Sequence, residues 1–276
     1  MNMNWFQSVI YGLISGLSEF LPISSRAHQS LMLLLFGCDT HDPIRDLLVH
    51  GAMLLSVYSG CRSMIEQLRR ENAAQLHTQG RHYAPKRLVD LRLIKNAVIP
   101  MFIAILMLTY TIGNKLNLMW VSLFLLINGI ILYIPERMIR ANRDARTMSV
   151  FDSYLMGIFN ALSALPGFSG IGCTTSIAVC RGAEPKKALD WALLLSIPSI
   201  ILFIALDFFN LFTFAEFGGF WSNFFGYILS ALGAYIGGYL SILLVKFLTM
   251  RNVFSGFSYY CWGASLISFI LYLTVA

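Results

Sequence analysis

The stretch GLISGLSEFLPISSRA, residues 12–27, is an apolar helical pattern broken at LPISS, and GIFNALSALPGFSGIG, residues 157–172, repeats that layout with its own break at LPGFSG. A single one-residue gap aligns the two, and in that alignment Ser25-Arg26 falls opposite Ser169-Gly170. Proline lacks a backbone donor and glycine weakens a helix by about 1 kcal/mol relative to alanine. Each stretch therefore predicts two short helices joined by irregular backbone. Both lie in very apolar surroundings. The 276 residues are 57% hydrophobic and 12% charged, against about 25% charged in a soluble domain, which excludes a water-soluble globule and makes the chain an all-α integral membrane protein. Irregular backbone persists at membrane depth only when it is buried in protein or lines a wet cavity. Two such breaks predict a cavity.

The formal charge is +6, but 17 of the 20 Lys and Arg are dispersed over four short polar segments: eight in 62–95, four in 137–146, three in 181–187, and the pair Lys246 and Arg251. No single basic face results, so nucleic acid is not the expected partner; the pattern matches the positive charge of cytoplasmic loops. With these segments inside, about six spans thread the chain, at 47–61, 98–112, 118–134, 189–209, 224–247 and 254–274. The segment 5–36 then starts and ends outside, whereas 153–180 starts and ends inside. Each dips in and turns back. Related sequences inserted from opposite sides predict an inverted-topology repeat of two re-entrant helix pairs, with repeats at about 1–134 and 153–276 in a single membrane domain, 1–276. In such architectures the ligand lies where the broken helices meet. The loop 62–95 is expected in the cytoplasm and the turn GNKLN, 113–117, outside. The N-terminal residues lack the basic start and cleavage site of a signal peptide and are expected to be retained. Five scattered cysteines with no C-x-x-C pair predict neither a disulfide framework nor a zinc site.

The first break gathers Glu19, Arg26 and His28 within ten residues, and ionisable groups at membrane depth are functional by default. Ser24 and Ser25 add hydroxyls beside Pro22. Helix N-termini in such a break present N–H groups and positive dipole to the cavity, which suits phosphate, and the guanidinium of Arg26 matches phosphate oxygens. A phosphate-bearing ligand is expected. Asp46 and His50 stand one turn apart on a helix face and read equally as part of an outer vestibule or as a structural pair. Asp190 and Asp207 read as interfacial residues near the ends of one span, and His77 and His82 as solvated loop residues. Trp120, Trp191 and Trp221 fall near span ends, as in interfacial aromatic belts.

The segments GLSEFLPISSxxH, residues 16–28, and ALPGFSxxG, residues 164–172, with LLSIP at 194–198, resemble the undecaprenyl-pyrophosphate phosphatase family, also called the bacitracin-resistance family. Weaker likeness at Asp46–Gly51, at Glu136 and at Phe257–Tyr260 extends it over most of the chain. The resemblance implies a multi-pass enzyme of the bacterial plasma membrane that removes the terminal phosphate of a polyprenyl diphosphate and so recycles the lipid carrier of cell-wall synthesis. It implies catalytic roles for Glu19, Ser25 and His28 and sets Ser169 on the second-loop serine; Ser24, Arg26, Ser169, Gly170 and Thr174 are the expected substrate contacts. A divalent cation, Mg or Ca, is an expectation that Glu19 would serve. The expected partners are a polyprenyl phosphate lipid and the bilayer, with a homodimer compatible with the chain.

Several family positions differ. Ser15 stands where the family has a second glutamate, Gly170 where it has an arginine, Asn160 at a glutamine-like position and Cys261 where an arginine follows the Tyr-Tyr pair. We expect Arg26 to supply from the first break the charge that Gly170 lacks in the second, although an arginine reaching toward the outer surface accounts for it equally. Metal-assisted hydrolysis is weakened by Ser15, because a single carboxylate needs substrate oxygens to complete a divalent site. Two other functions fit the same features: a transporter or flippase for a phosphorylated polyprenyl lipid, and a non-catalytic binder of that lipid.

Overall fold

The computed structural model describes residues 3–38, 42–77, 88–112, 116–137, 148–214, 220–250, 254 and 256–275. Most of the GNKLN turn, His82 and much of the two longest basic segments lie outside these. The described residues form eleven α-helices: α1 Trp5–Phe20, α2 Ser25–Leu35, α3 Pro43–Gly60, α4 Arg62–His77, α5 Leu88–Thr111, α6 Leu118–Arg137, α7 Val150–Ala161, α8 Gly170–Cys180, α9 Pro185–Phe214, α10 Phe220–Met250 and α11 Gly256–Val275.

Both interrupted stretches fold as helix, break, helix. A capping box of Asn4 and Gln7 starts α1 and one of Ser149 and Asp152 starts α7, satisfying N–H groups that the first turn leaves free. The residue before a proline is pushed out of the helical region. Leu21, before Pro22, is extended at φ −82°, ψ 149°, and Leu165, before Pro166, at φ −96°, ψ 131°. The chain then re-enters helix behind a serine N-cap: Ser24 accepts from Ala27 N–H for α2, and Ser169 from Gly172 N–H for α8.

The two pairs share landmarks at one spacing. The caps Asn4 and Ser149, the caps Ser24 and Ser169, the C-caps Phe36 and Arg181, and the left-handed Gly37 and Gly182 each stand 145 residues apart. The one-residue gap of the sequence alignment is therefore closed again inside the break, where the second stretch has an extra residue between its proline and its cap. Ser24, not Ser25, is the counterpart of Ser169. By the same spacing Arg26 stands opposite Ile171 rather than Gly170, which corrects the register expected from sequence.

Around these pairs the long helices are arranged so that α1 lies along α10 and α7 along α5, while α6 packs on α11 and α3 on α9. The crossings of α1 on α10 and of α7 on α5 are alike in detail. A Cβ on Gly12 would stand 2.0 Å from the Ser230 carbonyl oxygen of α10, and one on Gly157 would stand 2.1 Å from the Ala97 carbonyl oxygen of α5. Without a hydrophobic drive between helices in lipid, such close backbone approach supplies the packing. Among the described residues five helices are long and apolar enough to cross a membrane: Leu91–Thr111, Leu118–Arg137, Pro185–Thr213, Asn223–Thr249 and Gly256–Thr274. The sixth expected span, α3, is 18 residues long and is not among them, because Arg45, Asp46 and His50 occupy its first half. That half is nonetheless buried at Arg45 and His50. Its polar groups face protein.

Replacing Gly157 with valine forces α7 away from α5, and we expect most of the folded, monodisperse protein to be lost in detergent chromatography. Gly51 has nothing within 4 Å of its virtual Cβ. Gly51→Ala is expected to leave the yield unchanged and to raise stability by about 0.5–1 kcal/mol through helix propensity.

Candidate functional site

The two breaks meet. Ser24 Oγ accepts a hydrogen bond from Gly167 N–H at 2.9 Å, and Ser169 Oγ–H donates to the Leu21 carbonyl at 3.2 Å. Asn128 of α6, fully buried, joins both sides: its Nδ2–H donates to the Pro22 carbonyl at 3.2 Å and its Oδ1 accepts from Ser169 N–H at 3.0 Å. Leaving a buried polar group unpaired costs about 1–3 kcal/mol, and each break supplies the partners the other needs. Ser24 takes φ 71°, ψ 101°, a conformation that costs a non-glycine residue about 1–3 kcal/mol. Its hydroxyl bonds the opposing break, while its carbonyl accepts from His28 Nδ1–H at 2.7 Å.

Beside this junction lies a cleft walled by Glu19, Ser25, Arg26 and Gln29 of the first pair, Ser163, Phe168, Ser169 and Gly170 of the second, His50 of α3 and Phe203 of α9. The N-termini of α2 and α8 open on it. Their serine caps satisfy the third N–H of each helix, and the first two have no intrahelical carbonyl to bond. Ser163 Oγ is buried without a hydrogen-bond partner. The Arg26 guanidinium lies 4.4 Å from the centroid of the Phe203 ring, a cation–π contact that holds the charge in the cleft. Glu19 is partly buried in the cleft wall, with Ser25, Arg26 and His50. Donors, positive dipole and a guanidinium thus converge on one concave site, with a single carboxylate in its wall. Such an arrangement holds a phosphate or diphosphate.

The residues singled out in the sequence fall into two groups. Glu19, Ser25, Arg26, Ser169 and Gly170 line the cleft together. Ser24, His28 and Thr174 do not. Ser24 is taken up by the junction, Thr174 Oγ1 accepts from Asn160 Nδ2–H at 3.2 Å beneath it, and His28 turns toward α11, where Nε2 accepts from the Tyr260 hydroxyl at 2.7 Å. Gly170 offers little room for a longer side chain: a Cβ there would stand 3.1 Å from Ser163 Cβ and 3.2 Å from the Asn160 carbonyl oxygen. Among the described residues no three His, Cys, Asp or Glu side chains gather as a metal site.

Sequence reasoning missed one pairing. His50 does not pair with Asp46, which instead accepts from the Tyr11 hydroxyl at 3.2 Å. Its Nδ1 meets Asp207 Oδ2 of α9 at 2.5 Å. Asp207 is the only charged residue of α9 after Asp190, and a carboxylate so far along an apolar run is the signal that marks it.

The chain matches the bacitracin resistance protein BacA family over residues 8–267. It belongs to that family. Its relatives include an undecaprenyl-diphosphatase of Methanobrevibacter smithii, 28% identical over 97% of this chain and 98% of that protein. One of Thermosipho africanus is 29% identical over 95% of this chain and 98% of that protein. Undecaprenyl-diphosphatase 1 of Shouchella clausii is 30% identical over 72% of each chain. The matched residues include both breaks.

Replacing Asn128 with leucine strands the Ser169 N–H and leaves the Pro22 carbonyl only the weak Cys261 Sγ–H donor at 3.6 Å. We expect a loss of about 1–3 kcal/mol, the cost of the one group left unsatisfied. A lowered thermal midpoint in detergent reads this directly, and a midpoint unchanged from wild type would contradict the junction.

Proposed function

We propose that the protein hydrolyses undecaprenyl diphosphate, or a closely related polyprenyl diphosphate, to the monophosphate and inorganic phosphate in the bacterial plasma membrane, recycling the carrier lipid of cell-wall synthesis. The observation that carries this reading is the convergence of the α2 and α8 N-termini, Arg26 and Glu19 on one cleft, in a chain whose relatives are named undecaprenyl-diphosphatases. Phosphoryl transfer needs in-line attack and cationic groups to spread charge over the transferred oxygens, with little covalent help. Arg26 supplies a fixed positive charge, and the free N–H groups of both helices supply donors. The Ser163 hydroxyl, without a partner at the cleft wall, is placed to orient the diphosphate.

Arg26 takes the charge position that Gly170 vacates, and the tightness around Gly170 supports that exchange. The two charges need not share a position in the repeat; they need only reach the same cleft. The equal spacing of caps and crossing glycines supports reading the two halves as an inverted-topology repeat about this junction. A divalent cation finds Glu19 as the only lining carboxylate, and magnesium is ordinarily held by one or two carboxylates together with phosphate oxygens. The protein donors alone do not make a cation site, and no step is assigned to one.

Phosphate release from undecaprenyl diphosphate by the purified protein in detergent tests the reading. Arg26→Ala is expected to lower kcat/KM by about 10–100-fold, as follows from losing charged hydrogen bonds worth about 1.5–3 kcal/mol, with Arg26→Lys falling between. Lipid bound without any phosphate released would favour a carrier or binder over the enzyme.

A further inference from the structure

The family likeness places histidine chemistry at His28, yet His28 is engaged on both sides. Its Nδ1 is held by the Ser24 carbonyl and its Nε2 by the Tyr260 hydroxyl, each at 2.7 Å, and its ring stacks on Tyr260 at 5.8 Å between centroids. It is also absent from the cleft wall, which holds His50 instead. His50 is 8% exposed. The Asp207 carboxylate accepts from His50 Nδ1–H at 2.5 Å, which fixes the tautomer and leaves the Nε2 lone pair without a partner among the described residues. The ring stacks on Phe203 at 5.7 Å and 28°. The same Phe203 ring carries the Arg26 guanidinium. One aromatic platform thus sets a phosphate-binding charge and an oriented imidazole side by side, with Glu19 facing both.

We propose that His50, oriented by Asp207, is the general base of this cleft. The inference rests on the hydrolytic reading above and names the group that moves the proton. His50 Nε2 takes a proton from water as the water oxygen forms a bond to the terminal phosphorus. The bond from that phosphorus to the bridging oxygen breaks, and its electron pair leaves with the polyprenyl monophosphate. The proton on Nε2 is then lost to solvent or to the departing inorganic phosphate. Asp207 is a positioning residue, because it touches His50 and not the reacting atoms. His28 serves the Ser24 turn, through which the two breaks are joined. A histidine–carboxylate pair of this kind recurs wherever an imidazole must be held in one tautomer, and a general base of this type contributes about 10²–10⁴-fold to rate.

The test uses the full chain in detergent with undecaprenyl diphosphate, reading released phosphate. His50→Ala is expected to lower kcat at least 100-fold with KM changed less than threefold, and added imidazole is expected to restore at least tenfold of the loss. A merely structural role gives no rescue by imidazole. Should His50→Ala fail to elute as a folded species, His50→Gln keeps side-chain volume and is expected to show the same fall in kcat. Asp207→Asn is expected to lower kcat at least tenfold, with Asp207→Glu recovering part of it. Wild-type turnover with His50→Gln within threefold of it, or a folded His50→Ala unresponsive to imidazole, overturns this assignment alone. A wild-type protein that binds the lipid and releases no phosphate overturns the hydrolytic reading and this inference together.

Discussion

Hydrogen bonds between two interrupted helix pairs carry this structure. Pro22 and Pro166 open the backbone at two points that pack against each other, and the polar groups they free there need protein partners. Gly167 N–H bonds Ser24 Oγ, the Leu21 carbonyl accepts from Ser169 Oγ–H, and Asn128 accepts from one break while donating to the other. Neither break is satisfied without its partner. The close glycine crossings of α1 on α10 and of α7 on α5 bring the two tips to the distance at which these bonds form. Packing at Gly12 and Gly157 is in this sense a condition of the site rather than a separate source of stability.

That junction explains the chemistry available beside it. Two helices that must restart at a shared point present their N-termini to the same space, and the unbonded N–H groups of a first turn favour an anion there. The single guanidinium in the cleft then decides where the anion sits. Arg26 reaches it from α2, braced on Phe203, while the wall near Gly170 is filled by Ser163 and the Asn160 carbonyl. A charge supplied from either side of a cleft serves the same ligand, so the identity of a residue at one position matters less than the charge that arrives.

Much of this was legible in the sequence, and the exceptions have physical causes. The breaks at LPISS and LPGFSG announced themselves because proline and glycine act locally, and the membrane setting followed from composition. The register of the repeat did not, because which serine caps a helix depends on how many residues the break itself takes up. Ser24 and Ser25 are alike until the fold chooses between them. His28 and His50 were indistinguishable in kind; only the approach of α9 to α3 gives His50 a carboxylate, and only the approach of α11 gives His28 a tyrosine. Contacts between residues 157 or 232 positions apart leave no trace in local spacing. Asp207, a carboxylate inside an apolar helix, was the one local sign of the pairing.

The meeting of the two breaks can be read directly by crosslinking. A Cβ on Gly172 would stand 2.8 Å from Pro22 Cβ, closer than the roughly 3.5–4.5 Å that a disulfide spans, so the two thiols come within bonding reach once the backbones ease apart by about 1 Å. In a background with Cys38, Cys61, Cys173, Cys180 and Cys261 replaced by alanine, the pair Pro22→Cys and Gly172→Cys is predicted to form a disulfide on mild oxidation, holding the two halves together after proteolytic cleavage between them. Two thiols that both react with a small alkylating reagent in folded protein, yet never join, would contradict the account.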